Sequence, residues 1–206
     1  MNKKVIIIGY GGHGYVAIDI LSFHHKILGY CDVIEKKNNP FLIDYLGDEK
    51  KLLFSELEND TSFFVSIGNN EIRQKSFQFI KQNGFSVINA VHPSSVISSC
   101  AKIGEGSFIS SSVNINALAV IESGVICNTG SIIEHECFIG KFSHIAPGAV
   151  LCGNVFVGSN TFIGANSVIK QGVKIGKNVI VGAGAVILND VPDFSCIAGN
   201  PGKIIN

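Results

Sequence analysis

Residues 162–184 read FIGANSVIKQGVKIGKNVIVGAG, a stretch in which an aliphatic residue returns at every sixth position. The same register continues in both directions without a break, and all of its members are apolar: Ile103, Ile109, Ile115, Ile121, Cys127, Ile133, Ile139, Ile145, Leu151, Val157, Ile163, Ile169, Ile175, Val181 and Ile187. A small or β-branched residue follows each member of this ladder at a distance of four positions.

A period of six fits neither an α-helix, which repeats every 3.6 residues, nor an amphipathic strand, which repeats every two. It fits a short strand followed by a corner, so that three faces close a triangular coil with one aliphatic ladder inside each face. Glycine and asparagine, as at 176–178, tolerate the positive φ that sharp corners need. An ordinary β-sandwich with scattered aliphatic residues is disfavoured because the register never slips.

Residues 1–90 follow a different pattern, in which apolar strands alternate with helices. We predict strands over 4–8, 27–31, 62–67 and 86–90, helices over 12–23 and 70–83, and a mobile loop over 35–47. Alternation of this kind predicts a small parallel sheet covered by helices. The predicted architecture is therefore a Rossmann-like α/β domain over 1–90, followed by a parallel β-helix over 91–206 whose tail, 192–206, folds back near its end.

Composition narrows the class of protein. Lys plus Arg and Asp plus Glu both number 16, so there is no basic surplus to bind nucleic acid or an anionic membrane. The first apolar run ends at Gly9, too soon for a signal peptide, and no segment approaches the ~20 apolar residues of a membrane span. The six cysteines form no C-x-x-C pair, which favours a reduced, cytoplasmic chain without a zinc framework.

Four further motifs carry a family resemblance. They are GYGGHG at 9–14, IGNNEIR at 67–73, IEHECFIGKFSHIAP at 133–147 and GNPGK at 199–203. Together with the repeat they resemble the hexapeptide-repeat acyltransferases, within the group of sialic acid O-acetyltransferases and UDP-4-amino-sugar N-acetyltransferases that includes the UDP-N-acetylbacillosamine enzymes. The resemblance spans essentially the whole chain. It implies a left-handed parallel β-helix, a homotrimer with active sites between subunits, and acetyl-CoA as co-substrate without a metal.

Acetyl transfer to an amine needs a base for the departing proton and donors for the oxyanion of the tetrahedral intermediate. His135 lies two positions after the inward Ile133, so we expect it to point outward from a corner. The adjacent Glu136 would fix its tautomer, and Asn128, which we place one coil from this pair, would face the same centre. The resemblance assigns the base to His135 and its partner to Glu136, whereas the residues alone also allow an inconsequential surface pair.

The resemblance also implies contacts to acetyl-CoA. It assigns His144 to the acetyl end, the backbone amide of Gly153 to the oxyanion, and Ala165 and Gly182 to the groove for the rest of the coenzyme. A capping histidine and small corner residues are the alternative interpretations.

The first domain is expected to hold the sugar nucleotide. The G-x-G-x-x-G loop at 9–14 follows a strand and opens a helix, which directs backbone N–H groups at a phosphate, and His13 would add a donor. Asp32 ends the second strand, where a carboxylate accepts from a ribose hydroxyl, while Val33 replaces the second acidic residue that the family often has. The expected substrate-binding residues are Gly11, Gly12, His13, Asp32, Val33 and Gly68.

We therefore predict an N-acetyltransferase that acts on the 4-amino group of a UDP-linked 4-amino-4,6-dideoxy sugar for glycan biosynthesis. O-acetylation of a sialic acid or another sugar is the nearest alternative. A zinc lyase of the γ-carbonic anhydrase type is disfavoured because it needs three histidine ligands and the repeat offers only His135 and His144. A nicotinamide dehydrogenase is disfavoured because the first domain is too short for two mononucleotide-binding halves. A non-catalytic sensor of nucleotide sugars is a further alternative.

Overall fold

The computed structural model describes residues 3–58 and 60–205. Contacts within the chain divide it into two compact units, 1–90 and 91–206. No helix in the described part of the chain is long and apolar enough to cross a membrane.

The first unit is a four-stranded parallel sheet with strand order β2-β1-β3-β4. Its elements are β1 (Lys4–Ile8), α1 (Gly12–Leu21), β2 (Lys26–Cys31), β3 (Thr61–Val65), α2 (Asn70–Gln82) and β4 (Ser86–Val87), with 3₁₀ turns at Glu49–Lys51 and Phe54–Glu56. All of β3 and most of β1 are buried, as expected for parallel strands covered on both faces. The predicted last strand is too long: it ends at Val87, and Ala90 begins a strand that joins a different sheet.

Helix α2 begins and ends as its sequence predicts. The Asn69 side chain caps its first turn by accepting a hydrogen bond from the Ile72 N–H, at 3.0 Å. Just past its end, Gly84 has a φ of +85°, the left-handed conformation that terminates many helices.

The loop over 35–47 contains no helix or strand, only an isolated parallel bridge between Tyr45 and Tyr30 of β2, and its mobility stays a prediction. The Tyr10 hydroxyl donates to Asn39 Oδ1 at 2.6 Å and accepts from the Phe41 N–H at 3.3 Å. The Tyr10 ring stacks on Tyr30 with 4.1 Å between ring centroids. Side-chain hydrogen bonds to Tyr10 and the bridge to Tyr30 therefore connect this segment to the sheet.

The second unit is a β-helix of short parallel strands. Its strands are β5 (Ala90–Val91), β6 (Val96–Ile97), β7 (Lys102–Ile103), β8 (Phe108–Ile109), β9 (Asn114–Ile115), β10 (Val120–Ile121), β11 (Ile126–Cys127), β12 (Ile132–Ile133), β13 (Phe138–Ile139), β14 (His144–Ile145), β15 (Val150–Leu151), β16 (Phe156–Val157), β17 (Phe162–Ile163), β18 (Val168–Ile169), β19 (Lys174–Ile175), β20 (Ile180–Val181), β21 (Val186–Ile187), β22 (Cys196–Ala198) and β23 (Lys203–Ile204).

Three sheets form the faces of a left-handed prism. Their strand orders are β19-β16-β13-β10-β7, β23-β22-β20-β17-β14-β11-β8-β5 and β21-β18-β15-β12-β9-β6. Ile133 pairs with Leu151 and Leu151 with Ile169, so one coil takes 18 residues, three hexads. The predicted ladder fills the interior, and its members from Ile109 to Ile187 are fully buried.

The corners repeat as regularly as the core. Every sixth residue from Gly106 to Gly184 has a positive φ, and most are glycine or asparagine, as the sequence predicts. The exceptions are Ser112, Leu118, Glu136 and Phe142. Phe142 is buried, and its ring lies over Gly124, where an added Cβ would stand 2.4 Å from the ring.

The C-terminal tail folds back on the prism, as predicted. Strand β22 pairs in parallel with β20 and so extends one face by a further coil. Strand β23 then turns back antiparallel against β22.

Candidate active site

His135 and Glu136 form a side-chain pair at a corner of the prism, directly after β12. His135 Nδ1 lies 3.0 Å from Glu136 Oε2, and both side chains are about half exposed. A carboxylate only accepts hydrogen bonds, so the proton in this contact is on Nδ1, and the corresponding neutral tautomer has its lone pair at Nε2. The arrangement supplies an outward, oriented base.

The ring of His135 lies against Gly153, one coil further along. A Cβ added at Gly153 would stand 2.4 Å from both Cε1 and Nε2 of the imidazole, so only glycine leaves room for the ring. The N–H of Gly153 donates to no other residue that the structure describes, whereas Asn154, next in the chain, donates to the His135 carbonyl at 2.8 Å. A base and an open amide donor therefore stand side by side.

Sequence reasoning missed a second polar pair at this corner. Asn116 Nδ2 donates to Glu134 Oε2 at 2.9 Å, and both residues are half-buried. The two positions differ by 18, one coil, so counting in coils rather than hexads would have paired them. Glu134 directly precedes His135 in the chain.

His144 and Asn128 form a separate group on another face. Asn128 Oδ1 accepts from the Thr129 N–H at 2.8 Å, which leaves its amide nitrogen to donate to His144 Nε2, 3.3 Å away. The imidazole also meets the edge of Phe162, with 5.0 Å between ring centroids. His144 is thereby fixed in orientation and half-buried.

The expectation that Asn128 lies one coil from His135 is wrong. The two positions differ by seven, whereas a coil takes 18, so they stand on different sides of the prism. The coil neighbours of His135 are Ala117 and Gly153. His144 is nine residues from His135, half a coil, and thus lies across the prism from it.

The two residues expected in the coenzyme groove have different surroundings. Ala165 is half-buried and lies two residues after the end of β17, the strand that begins at Phe162. At Gly182 an added Cβ would lie 2.9 Å from the Cβ of Ala198 in β22, so the tail alone explains the lack of a side chain there.

The glycines of the first unit divide into two kinds. At Gly14 an added Cβ would lie 2.6 Å from the Gly9 carbonyl oxygen, so this glycine lets α1 pack against the sheet. At Gly11, Gly12 and Gly68 an added Cβ would meet nothing within 4 Å. Gly11 caps α1 without a side-chain hydrogen bond, which leaves the first turn open to an anion.

His13 stands in that first turn and is mostly buried. Burial, together with the nearby charge of Arg73, lowers its pKa to about 4, so the ring is neutral at pH 7. Burial also lowers the pKa of Arg73, to about 9, and the guanidinium stays charged. Arg73 Nη1 donates to the carbonyls of Ile67, at 2.9 Å, and Gly68, at 3.0 Å, so this buried cation fixes the β3–α2 loop. Its motif was recognised in the sequence, but this role was not.

Asp32 lies directly after β2, one residue past the predicted strand end, and its carboxylate is already engaged in hydrogen bonds. It accepts from the N–H groups of Tyr10, at 3.1 Å, and Val33, at 2.8 Å, and pairs with Lys36 Nζ at 3.1 Å. Val33 is exposed and lines a cleft of about 690 Å³. The other walls of this cleft are one side of α2, including Ile72, Ser76 and Phe79, and residues 48–50.

Among the described residues, no three His, Cys, Asp or Glu side chains are grouped so as to hold a metal ion.

Two families of known proteins match the chain. The PglD N-terminal domain matches residues 4–80, and the bacterial transferase hexapeptide (six repeats) matches residues 154–189.

Two curated relatives align with part of the chain. GDP-perosamine N-acetyltransferase of Escherichia coli O157:H7 is 38% identical over 45% of this chain and 42% of its own length. UDP-N-acetylbacillosamine N-acetyltransferase of Bacillus subtilis (strain 168) is 32% identical over 52% of this chain and 51% of its own length. The chain thus spans about half the length of the curated relatives it matches.

Solved structures match over nearly the full length. The acetyltransferase domain of PglB from Neisseria gonorrhoeae, in complex with acetyl coenzyme A, is 32% identical with a TM-score of 0.93, covering 100% of both chains. PerB from Caulobacter crescentus, in complex with CoA and GDP-perosamine, is 36% identical with a TM-score of 0.92, covering 98% of this chain and 97% of its own.

Proposed function

The chain belongs to the family of hexapeptide-repeat acetyltransferases that carry a PglD N-terminal domain, and we propose that it transfers the acetyl group of acetyl-CoA to a nucleotide-linked amino sugar. The acceptor we propose is the 4-amino group of a UDP-linked 4-amino-4,6-dideoxy sugar, a precursor for glycan assembly. The observation that carries the proposal is the His135 imidazole, held by Glu136 and lying beside the open amide of Gly153.

His135 acts as the general base. Its Nε2 lone pair takes a proton from the amine as the nitrogen attacks the thioester carbonyl, and the carboxylate of Glu136 stabilises the resulting imidazolium. The N–H of Gly153 donates to the oxyanion of the tetrahedral intermediate. Collapse of that intermediate releases the CoA thiolate, and the imidazolium returns the proton to the sulfur.

Acetyl-CoA is bound near His144, in the groove that runs past Ala165 and Gly182. His144 lies across the prism from His135, so a single chain cannot present both side chains to one small reacting centre. Two adjacent chains can, if the His135 corner of one meets the His144 face of the other. We therefore place each active site between two copies of the chain.

The outer surface of the prism supports association. The face of β6, β9, β12, β15, β18 and β21 directs outward an almost continuous aliphatic row, Val96, Ile132, Val150, Val168 and Val186, broken by Asn114. On a sheet face exposed to water, the outward-facing residues would be polar. Since three flat-sided prisms close around an axis, a homotrimer covers such faces.

The first unit binds the nucleotide of the acceptor. The unobstructed backbone at Gly11, Gly12 and Gly68 lets a diphosphate approach, and the uncapped N-terminus of α1 favours its negative charge. The base then enters the cleft beside Val33 and α2. UDP- and GDP-linked sugars both occur in the names of the relatives, and binding experiments with UDP and GDP distinguish the two nucleotide bases.

We propose that the enzyme works in the cytoplasm, where acetyl-CoA and nucleotide sugars are made. All six cysteines are free, which fits a reducing compartment.

The decisive experiment measures thiol release from acetyl-CoA with UDP-, GDP- and dTDP-linked 4-amino-4,6-dideoxy sugars, and with CMP-sialic acid as a hydroxyl acceptor. Release with an amino sugar, and mass spectrometry of the N-acetyl product, are expected. Turnover of the hydroxyl acceptor alone would replace N-acetylation by O-acetylation. Tight binding of a nucleotide sugar without any thiol release would make the protein a sensor rather than an enzyme.

A further inference from the structure

The pair formed by Asn116 and Glu134 has no role in the chemistry described so far. Its members follow β9 and β12, which are adjacent in one sheet, and each donates its backbone N–H to the next coil, Asn116 to Ile133 and Glu134 to Leu151. The backbone N–H is therefore engaged at both positions, and the side chains project outward beside the base.

The carboxylate of Glu134 is oriented but not saturated. Asn116 donates to Oε2, and a carboxylate has about four acceptor sites, so Oε1 stays available for a further donor. A glutamate loses side-chain entropy when it is ordered, and here the asparagine has already imposed that order. A surface pair of this kind adds little to stability, whereas an aligned acceptor is of use to a ligand.

The two consecutive side chains lean in opposite directions along the prism. Glu134 reaches toward the preceding coil, which carries Asn116, and the His135 ring reaches toward the following coil, which carries Gly153. Neighbouring strands are about 4.8 Å apart, so the two acceptor atoms, His135 Nε2 and Glu134 Oε1, are on the order of one to two strand spacings apart. Donors on two neighbouring carbons of a pyranose ring, roughly 3 Å apart, bridge such a gap because a hydrogen bond of about 2.8 Å is added at each end.

Resting on the function proposed above, we propose that Glu134, positioned by Asn116, binds the hydroxyl on the carbon next to the amine-bearing carbon of the acceptor sugar. For a 4-amino-4,6-dideoxy sugar this is the 3-hydroxyl, because the other neighbouring carbon bears the methyl group. The hydroxyl donates to Oε1 while the amine faces His135 Nε2. The substrate class is thereby narrowed to vicinal amino alcohols.

The test combines Glu134→Gln with a 3-deoxy acceptor in a double-mutant cycle. Hydrogen bonds to charged groups are strong, so we expect the wild-type enzyme to lose about 10- to 100-fold in kcat/KM when the 3-hydroxyl is absent. Glu134→Gln, whose amide keeps one acceptor oxygen but no charge, should lose part of that factor with the 3-hydroxy acceptor and almost nothing more with the 3-deoxy acceptor. The KM for acetyl-CoA should not change. Asn116→Ala should show a smaller loss with the same dependence on the hydroxyl.

Glu122→Gln is the matched control, since Glu122 is a half-buried glutamate of the same prism that pairs with Lys141 Nζ at 3.8 Å. Glu122→Gln should leave the ratio of kcat/KM for the 3-hydroxy acceptor to kcat/KM for the 3-deoxy acceptor unchanged. Equal losses with both acceptors on Glu134→Gln, or no loss with either, would overturn the assignment of Glu134. A wild-type enzyme that acetylates none of the amino sugars would instead overturn the proposed function, and this inference with it.

Discussion

The His135 imidazole packs on Gly153, because its Cε1 and Nε2 atoms occupy the space that a Cβ of residue 153 would take. The position of the ring therefore depends on residue 153 having no side chain. A residue one coil away from the base decides where the base points.

Gly153→Ala is expected to displace the ring and lower kcat by about 100-fold, since a misplacement of about 1 Å costs that much. The melting temperature should change little, because the displaced imidazole can swing into solvent. Gln171→Ala, at the equivalent position of the next coil, is the control. Full activity in Gly153→Ala would show that the ring is not held as described.

His135→Ala should lower kcat by about 10²- to 10⁴-fold, the usual contribution of a general base, and leave nucleotide-sugar binding intact. Glu136→Gln should give a smaller loss, because the amide can still hold the ring but stabilises the imidazolium less. Single-turnover kinetics and calorimetric binding separate the two effects. An unchanged rate in His135→Ala would remove it from the role of base.

Mixed oligomers test whether sites form between chains. His135→Ala and His144→Ala are each expected to impair their own homo-oligomers. When the two variants are co-expressed with different tags and purified as mixed assemblies, some interfaces join an intact His135 to an intact His144, and activity should return. Mixed assemblies as inactive as the parents would place the whole site within one chain. Light scattering of the wild-type protein should give the mass of a trimer.

The glycines of the first unit should respond in opposite ways to alanine. Gly12→Ala introduces no clash and favours the first turn of α1, so the fold should be preserved or stabilised. The KM for the nucleotide sugar should rise, because the new methyl group stands where the diphosphate is proposed to approach the backbone. Gly14→Ala should instead lower the melting temperature, since its Cβ would collide with the Gly9 carbonyl. Calorimetric titration with UDP and GDP measures the binding. Unimpaired binding in Gly12→Ala would argue against a diphosphate at this loop.

His13 makes stability depend on pH on the acid side. Its pKa is about 4 in the folded chain and about 6.5 in the unfolded chain, so the unfolded state binds more protons between these values. Stability is therefore complete above pH 6.5 and falls as the pH is lowered, by about 2 kcal/mol at pH 5 from this residue alone. His13→Gln should flatten the decline in melting temperature between pH 7 and 5, whereas the exposed His24→Gln should not. Parallel curves for His13→Gln and wild type would contradict a buried neutral ring.

The sequence predicts the prism well because its physics repeats. Every inward position must be aliphatic and every tight corner must accept a positive φ, so a period of six is visible without coordinates. Contacts between coils are less visible, since they join residues 18 apart whose chemistry need not repeat. Asn116 with Glu134 and Gly153 with His135 are of this kind, and the misplacement of Asn128 came from counting hexads without closing the coil.

The first unit shows the same limit in another form. The strands and helices follow local patterns, so they are predicted closely. The anchoring of residues 35–47 depends on Tyr10 meeting Asn39 and Phe41, which are about 30 positions away, and no local pattern encodes that contact. The burial of Arg73 beneath the β3–α2 loop is likewise a property of the packed structure.

The reversed strand β23 has a consequence for how far such a structure can grow. Identical coils contain no built-in stopping point, because each one offers the next the same row of donors and acceptors. Strand β23 runs antiparallel to β22 and occupies its free backbone donors and acceptors. A further parallel strand therefore cannot pair with β22. Removal of residues 199–206 should therefore turn a discrete particle into one prone to end-to-end fibres.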